Sequence, residues 1–472
     1  MVTRIREQGG GTTHATTGHH LLPLGLLLAG AGGAAITLGP VWGWGLLAAA
    51  LAVLVVSLSA ESLPLVFVSA VLVFAASVDA LRSISLTPWL TASGAATAVL
   101  AVGGLVALAA VRPSKTAWRI SAPVVALVLV GVLWGFRGLT PGGLQEVVAL
   151  TLFAVTILVT STAALRHPSV CVRVVDRGLT LGALVAGVAY AAQQLTFRVA
   201  EPLLGARAVA AFLCLCLAWT AARWAGGARR YGYASIFLAG VIGFSLSRTA
   251  LGAALLVLGA AAMTRAQGRR WGWKRQVATL AVAVGLAAAG IVVLVRVVPP
   301  IRERFTEGDV VAVGALKLNV TGRAELWATT WRSALTSPLI GQGPGSAREL
   351  AENAAPGLDH PHNDYLRLFH DYGLVGVAAW LTFVARSLAA GVRAVRGNWV
   401  TVLGQVSGRA TFLVLVAFSA LMVTDNVMVY LFMIGPAGVV LGLGAVATEI
   451  APSNVVSKPR TPSLASMSQR YV

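Results

Sequence analysis

The segment His360-Pro361-His362-Asn363-Asp364-Tyr365-Leu366 holds the residues best suited to moving a proton. Pro361 keeps His360 extended, and Asn363 or Asp364 can cap the helix that the following residues predict. His362 then sits at a helix N-terminus, where the dipole disfavours an imidazolium and favours the neutral ring. An imidazole titrates at about 6.5 when unperturbed, which suits general-base work near neutral pH. The same residues allow two plainer roles: a capping or packing histidine, or a metal site with His360 and Asp364. The metal role is poorly supplied, because no second cluster of Cys, His or carboxylates completes a coordination shell.

Arg248 is the second chemical signal. It lies in Phe244-Ser245-Leu246-Ser247-Arg248-Thr249, between two apolar runs and without a nearby acid in sequence. A charged residue in such a place costs a few kcal/mol or more and usually faces a cavity or a partner. It reads either as a snorkelling loop arginine or as part of an anion site. In the anion site, Ser247, Arg248 and the following helix N-terminus would all favour phosphate.

Both signals need a scaffold, and the composition says what kind. Of the 472 residues, 57% are hydrophobic and only 11% charged, against roughly 25% charged in soluble proteins. Mean hydropathy is +0.80. These values exclude a water-soluble enzyme, a disordered chain and a nucleic-acid-binding domain, despite a net charge of +19. Cys171, Cys214 and Cys216 exclude a disulfide-stapled secreted fold. The fold class is therefore all-α, a polytopic membrane protein.

Runs of about 20 apolar residues, enough to cross a bilayer, fall at 21–39, 41–59, 62–79, 91–111, 120–136, 145–165, 178–195 and 206–222. More follow at 231–247, 249–264, 277–298, 373–391, 409–424 and 427–448. The pairs flanking Arg248 and Asp425 are short or tightly joined, so about 12–14 transmembrane helices are expected. The organisation is a tail over 1–20, helices over 21–298, a long loop over 299–372, helices over 373–448 and a tail over 449–472. Gly39-Pro40-Val41-Trp42 offers no convincing leader cleavage site, so the first run reads as a span.

With both termini in the cytoplasm, the inner connections hold Arg112, Lys115 and Arg119; Arg166, Arg173 and Arg177; Arg223, Arg229 and Arg230; and the Arg265–Arg275 cluster. They also hold Arg386, Arg393, Arg396 and Arg409, so the positive-inside rule is obeyed in a cytoplasmic-membrane protein. The net charge is mostly this bias, aided by anionic membrane lipids. The loop 299–372 then lies outside, and a loop beyond about 15 residues is usually functional. Gly322 and Glu325 mark a helix with Leu326, Trp327, Thr330, Trp331, Ala334 and Leu335 along one side, which fits an interfacial helix. The run Gly341-Gln342-Gly343-Pro344-Gly345 reads as a tight turn, and Ser346 with Glu349 as a capping box for a short second helix. Arg248, Arg323 and His362 fall on the same side of the membrane.

At these residues the chain resembles the O-antigen ligase/polymerase family of bacterial membrane glycosyltransferases. The resemblance rests on Ser247-Arg248-Thr249, on Gly322-Arg323 with Trp327 and Ser337-Pro338-Leu339-Ile340-Gly341-Gln342-Gly343, and on His362-Asn363-Asp364-Tyr365-Leu366 with Gly373-Leu374-Val375-Gly376. It covers roughly 205–390, and the first 200 residues match only in hydropathy. It implies transfer of a glycan from a polyprenyl-diphosphate carrier to an acceptor glycan, lipid or protein outside the membrane, without metal, nucleotide sugar or other cofactor. It implies that Arg248 and Arg323 bind the donor diphosphate, with Ser247 and Asn363 beside them, and that His362 acts on the acceptor hydroxyl. Arg207, in Gly205-Ala206-Arg207, is a weaker match, because the Gly-x-x-x-Pro-Asn that often follows in the family is absent.

The chemistry agrees with the residues. A sugar C1 bonded to diphosphate already has a good leaving group, so fixed positive charge helps more than an acid. The acceptor hydroxyl needs a base, and His362 is the best-placed outer candidate. The runner-up is a polytopic transporter or flippase for an anionic lipid-linked substrate, which explains the helices and Arg248 but gives no reason for an ordered loop with His362.

Overall fold

The computed structural model describes residues 62–78, 80–81, 84–87, 90–196, 204–267, 273–297, 302, 310–313, 316–319, 323–354, 360–396 and 402–449. The tail over 1–20, the expected spans 21–39 and 41–59, Gly322 and the C-terminal tail from residue 450 lie outside the described residues. The architecture is all-α. The described helices are α1 (Leu63–Ala76), α2 (Ala92–Ala109), α3 (Lys115–Gly135), α4 (Pro141–Arg166), α5 (Pro168–Thr196), α6 (Ala206–Ala225), α7 (Arg230–Phe244) and α8 (Arg248–Gln267). Then come α9 (Trp273–Val297), α10 (Arg323–Ala334), α11 (Ser346–Ala354), α12 (Asp364–Arg396), α13 (Val402–Met422) and α14 (Leu431–Val446). Strands β1 (Ser85–Thr87) and β2 (Leu90–Thr91) make one short antiparallel hairpin, and β3 (Val310–Val313) and β4 (Leu316–Asn319) another.

Seven described helices are long and apolar enough to cross a bilayer: α2, α3, α4, α5, α6, α12 and α13. α1 and α14 are apolar but shorter, at 14 and 16 residues. Several helices run past the apolar stretches into charged residues: α5 includes Arg173 and Arg177, and α13 includes Arg409, which is buried. A helix propagates once nucleated and does not stop where hydropathy stops.

Starts are set by local chemistry. Thr140 caps α4 by accepting from the Gly143 N–H at 3.2 Å, with Pro141 in the first turn. Ser114 caps α3 by accepting from Ala117 N–H at 3.0 Å. The Gln193 side chain both donates to and accepts from the Leu204 backbone, at 3.1 and 3.0 Å, fastening the start of α6 to α5.

α4 and α6 form the centre, and apolar residues surround them on all sides. α4 packs on α14, α2 and α3, while α6 packs on α7, α8 and α13. Phe153 stacks on Phe418 at 6.1 Å and meets Phe383 edge-on at 5.4 Å, so α4, α12 and α13 share one aromatic cluster. Outer helices instead expose Val102, Leu133, Leu184 and Ile236. In lipid this is the low-energy surface, since hydrocarbon solvates those side chains as well as a core would.

Candidate active site

The site is built where α6, α8 and α12 begin, so all three N-termini share one end of the bundle. Arg207 lies in the first turn of α6, and Arg248 is the first residue of α8. Arg323 opens α10, which packs on α12. Its Nη1 donates to the Thr424 carbonyl at 2.9 Å. The hydroxyls of Thr249 and Thr424 are hydrogen-bonded to each other, joining α8 to the turn after α13.

Arg323 is within electrostatic reach of Arg207, Arg248, Asp425 and Tyr430. Its pKa is lowered, first by burial and then by the positive charge of Arg207 and Arg248, while Asp425 acts the other way. Two guanidiniums and one aspartate thus act on the Arg323 guanidinium. Such an arrangement is unfavourable when empty and becomes favourable when an anion enters.

His362 stands beside this group. Its backbone is left-handed, with φ +53°, a conformation that side chains other than glycine adopt at a cost. Nδ1 lies 3.2 Å from Asn426 Nδ2 and 3.8 Å from Asp425 Oδ1. The ring keeps 20% exposure, so it is held at Nδ1 yet still accessible. Several bonds hold its neighbours. The Trp327 indole N–H donates to the Pro361 carbonyl at 2.6 Å, and the Tyr365 hydroxyl to the Ser419 carbonyl at 3.1 Å. Asn363 caps α12 by accepting from the Leu366 N–H at 3.0 Å. Asp364 accepts from the Met428 N–H at 2.9 Å and pairs with Arg367 at 2.9 Å.

The residues singled out in the sequence therefore fare differently. Arg207, Arg248 and Arg323 come together, and Asp425 links them to His362. Ser247 precedes the first residue of α8 and its carbonyl accepts from the Leu251 N–H at 2.9 Å. Asn363 has its side-chain oxygen committed to the cap. Trp327 turns toward the site, whereas Trp331 stays half-exposed and packs on Phe369 at 5.2 Å. The buried side of α10 is Leu326, Thr330 and Ala334. Among the described residues no three His, Cys, Asp or Glu side chains gather as a metal ligand set.

Two local readings change. Ser346 and Glu349 do not form a capping box. Asp371 of α12 caps α11 instead, accepting from Ala347 N–H at 2.8 Å, Gly345 N–H at 3.3 Å and Ser346 Oγ at 2.9 Å. A buried carboxylate satisfies more of the helix end than a local serine could. The glycine run is indeed a turn, but one fitted to a break in α12. Gly373 has φ +63°, and a Cβ there would lie 2.4 Å from the Leu339 carbonyl carbon. A Cβ on Gly341 would meet the Asp371 backbone at 2.3 Å. Only glycine permits this approach, and it lets Gln342 and Gly343 N–H donate to the His370 and Asp371 carbonyls, each at 2.9 Å.

Residues 233–381 match the family model described as O-antigen ligase. The chain carries an O-antigen ligase domain. No curated protein matches the chain. The O-antigen ligase domain runs from α7 into α12 and contains Arg248, Arg323 and His362. Arg207, Asp425 and Asn426 complete the same site from outside the matched stretch. The sequence pattern does not mark Asp425 or Asn426 as site residues, and Asp425 reads there only as the divider of two apolar runs. An acid in that position is itself a signal, by the same reasoning that singled out Arg248.

Proposed function

We propose that this membrane protein transfers a glycan from a polyprenyl-diphosphate carrier to an acceptor hydroxyl on the extracytoplasmic side. The observation that carries the proposal is the meeting of Arg207, Arg248 and Arg323 with His362 across Asp425. The O-antigen ligase domain supports glycan transfer in general. The arginines supply positive charge where the leaving diphosphate gains negative charge. His362 takes the proton of the acceptor hydroxyl as that oxygen bonds to the sugar C1. The C1–O bond to the diphosphate breaks with its electron pair, releasing polyprenyl diphosphate. Direct displacement inverts the anomeric centre. Neither a metal nor an organic cofactor is needed in this scheme, because the leaving group is already activated.

The placement of the arginine-rich connections supports a topology with both termini in the cytoplasm and the site outside the cytoplasmic membrane. A cysteine at exposed Asn353, in a variant lacking the native cysteines, should react with an impermeant thiol reagent in intact cells. Labelling only after permeabilisation would reverse the orientation.

The deciding experiment is transfer in detergent. Purified protein, lipid-linked oligosaccharide extracted from the cells that make it, and an acceptor glycan should yield elongated product and free polyprenyl diphosphate. A transporter has no compartments to move substrate between under those conditions and would yield neither.

A further inference from the structure

His362 is touched by polar groups from the junction between α13 and α14. Asn426 is fully buried there, while Asp425 retains 17% exposure. The junction is fastened in several places. Asp425 Oδ1 accepts from the Asn426 N–H at 2.8 Å, Met428 N–H reaches Asp364 on α12, and Arg323 holds the Thr424 carbonyl. The Asn426 side chain thus meets His362 Nδ1 from a fixed position.

Which ring nitrogen carries the proton then follows from charge. A carboxylate 3.8 Å from Nδ1 attracts an N–H and repels a lone pair. The asparagine amide has the same shape when turned by 180°, so its oxygen can occupy the place 3.2 Å from Nδ1. An Nδ1–H then has an acceptor in Asn426 and an anion behind it in Asp425. Its partner nitrogen, Nε2, keeps the lone pair that a base requires.

We propose that Asp425 and Asn426 are positioning residues that hold His362 in the Nδ1–H tautomer, leaving Nε2 to take the acceptor proton. Asp425 also stabilises the imidazolium that results, offsetting its repulsion from the nearby Arg323. The rate consequences rest on the glycan-transfer reading, whereas the tautomer is a property of the protein alone.

The test pairs two measurements on full-length purified protein. In 15N-histidine spectra, the signals lost in His362→Gln identify this residue. They should show Nδ1–H in the wild type and a mixture in Asp425→Asn and Asn426→Ala, while Asn426→Asp should keep Nδ1–H. In transfer assays with extracted lipid-linked oligosaccharide, Asp425→Asn should lower kcat about 10–100-fold, the usual scale for a residue acting through another. Donor affinity should be equal or tighter, because a negative charge beside the arginines is gone. Asp425→Glu should recover part of kcat. A wild-type Nε2–H tautomer, or wild-type kcat in Asp425→Asn, would overturn the proposal. A wild type that transfers nothing would instead sink the glycan-transfer reading, with the spectra still deciding the tautomer.

Discussion

Two charged clusters lie along the first turns of α12, and they are opposites. The group at His362 brings Arg207, Arg248 and Asp425 within electrostatic reach of Arg323, and His362 and Asp425 stay partly exposed. Deeper along the helix, Arg367 and His370 lie with Glu146, Asp364 and Asp371 in a closed network, with every one of these side chains buried. The closed network uses its charges on the protein itself. Asp371 caps α11, Asp364 anchors the α13–α14 junction, and His370 Nε2 meets Ser333 Oγ of α10 at 3.1 Å. At the His362 group the arginines outnumber the acid, three to one. The start of α12 thus lies between a closed charge network and the partly exposed group that the proposed function assigns to the donor.

That contrast is most easily broken at Arg367. Arg367→Ala would leave Asp364 and Glu146 buried without their cation, so unfolding stability should fall by about 3–5 kcal/mol. Thermal or denaturant unfolding in detergent would measure it, and a change under about 1 kcal/mol would mean that the network is not structural.

Arg323→Ala should do the reverse. Donor affinity should fall roughly 10–100-fold, the scale of a charged hydrogen bond of about 1.5–3 kcal/mol. Stability should change by less than about 1 kcal/mol, since relief of repulsion from Arg207 and Arg248 offsets the lost bond to Thr424. Equilibrium binding of the extracted lipid-linked oligosaccharide tests the first part. Unchanged affinity would remove Arg323 from the donor site.

Arg248→Lys keeps the charge and loses the planar fork, so a smaller loss of several-fold in donor affinity is expected, with the salt dependence of binding unchanged. The smallest effect is reserved for chelation. EDTA should leave the transfer rate unchanged, and loss of activity restored by a divalent ion would assign a metal to this group.

Much of this was legible in the sequence, for physical reasons that can be named. Hydropathy and arginine placement lead to an all-α membrane fold because lipid punishes unpaired backbone and buried charge. Arg248 and His362 stood out because charged or titratable residues are rare at such positions. The role of Asp371 could not be read, since its bonds reach back across the chain to Gly345 and Ala347. Nor could the choice between Asn363 and Asp364 as cap, which depends on Met428 and Arg367 claiming Asp364. The buried stripe on α10 is narrower than its sequence pattern suggests. Packing against α12 buries Leu326, Thr330 and Ala334 and turns Trp327 to Pro361, which periodicity alone does not resolve.

The central claim is that the group at His362 binds donor through its arginines and reacts through its histidine. Purified, folded His362→Gln separates the two, because glutamine keeps a hydrogen bond but does not accept a proton at neutral pH. The account predicts donor binding close to wild type and transfer lower by about 10²–10⁴-fold, the usual share of a general base. Near-wild-type transfer by that variant would contradict it.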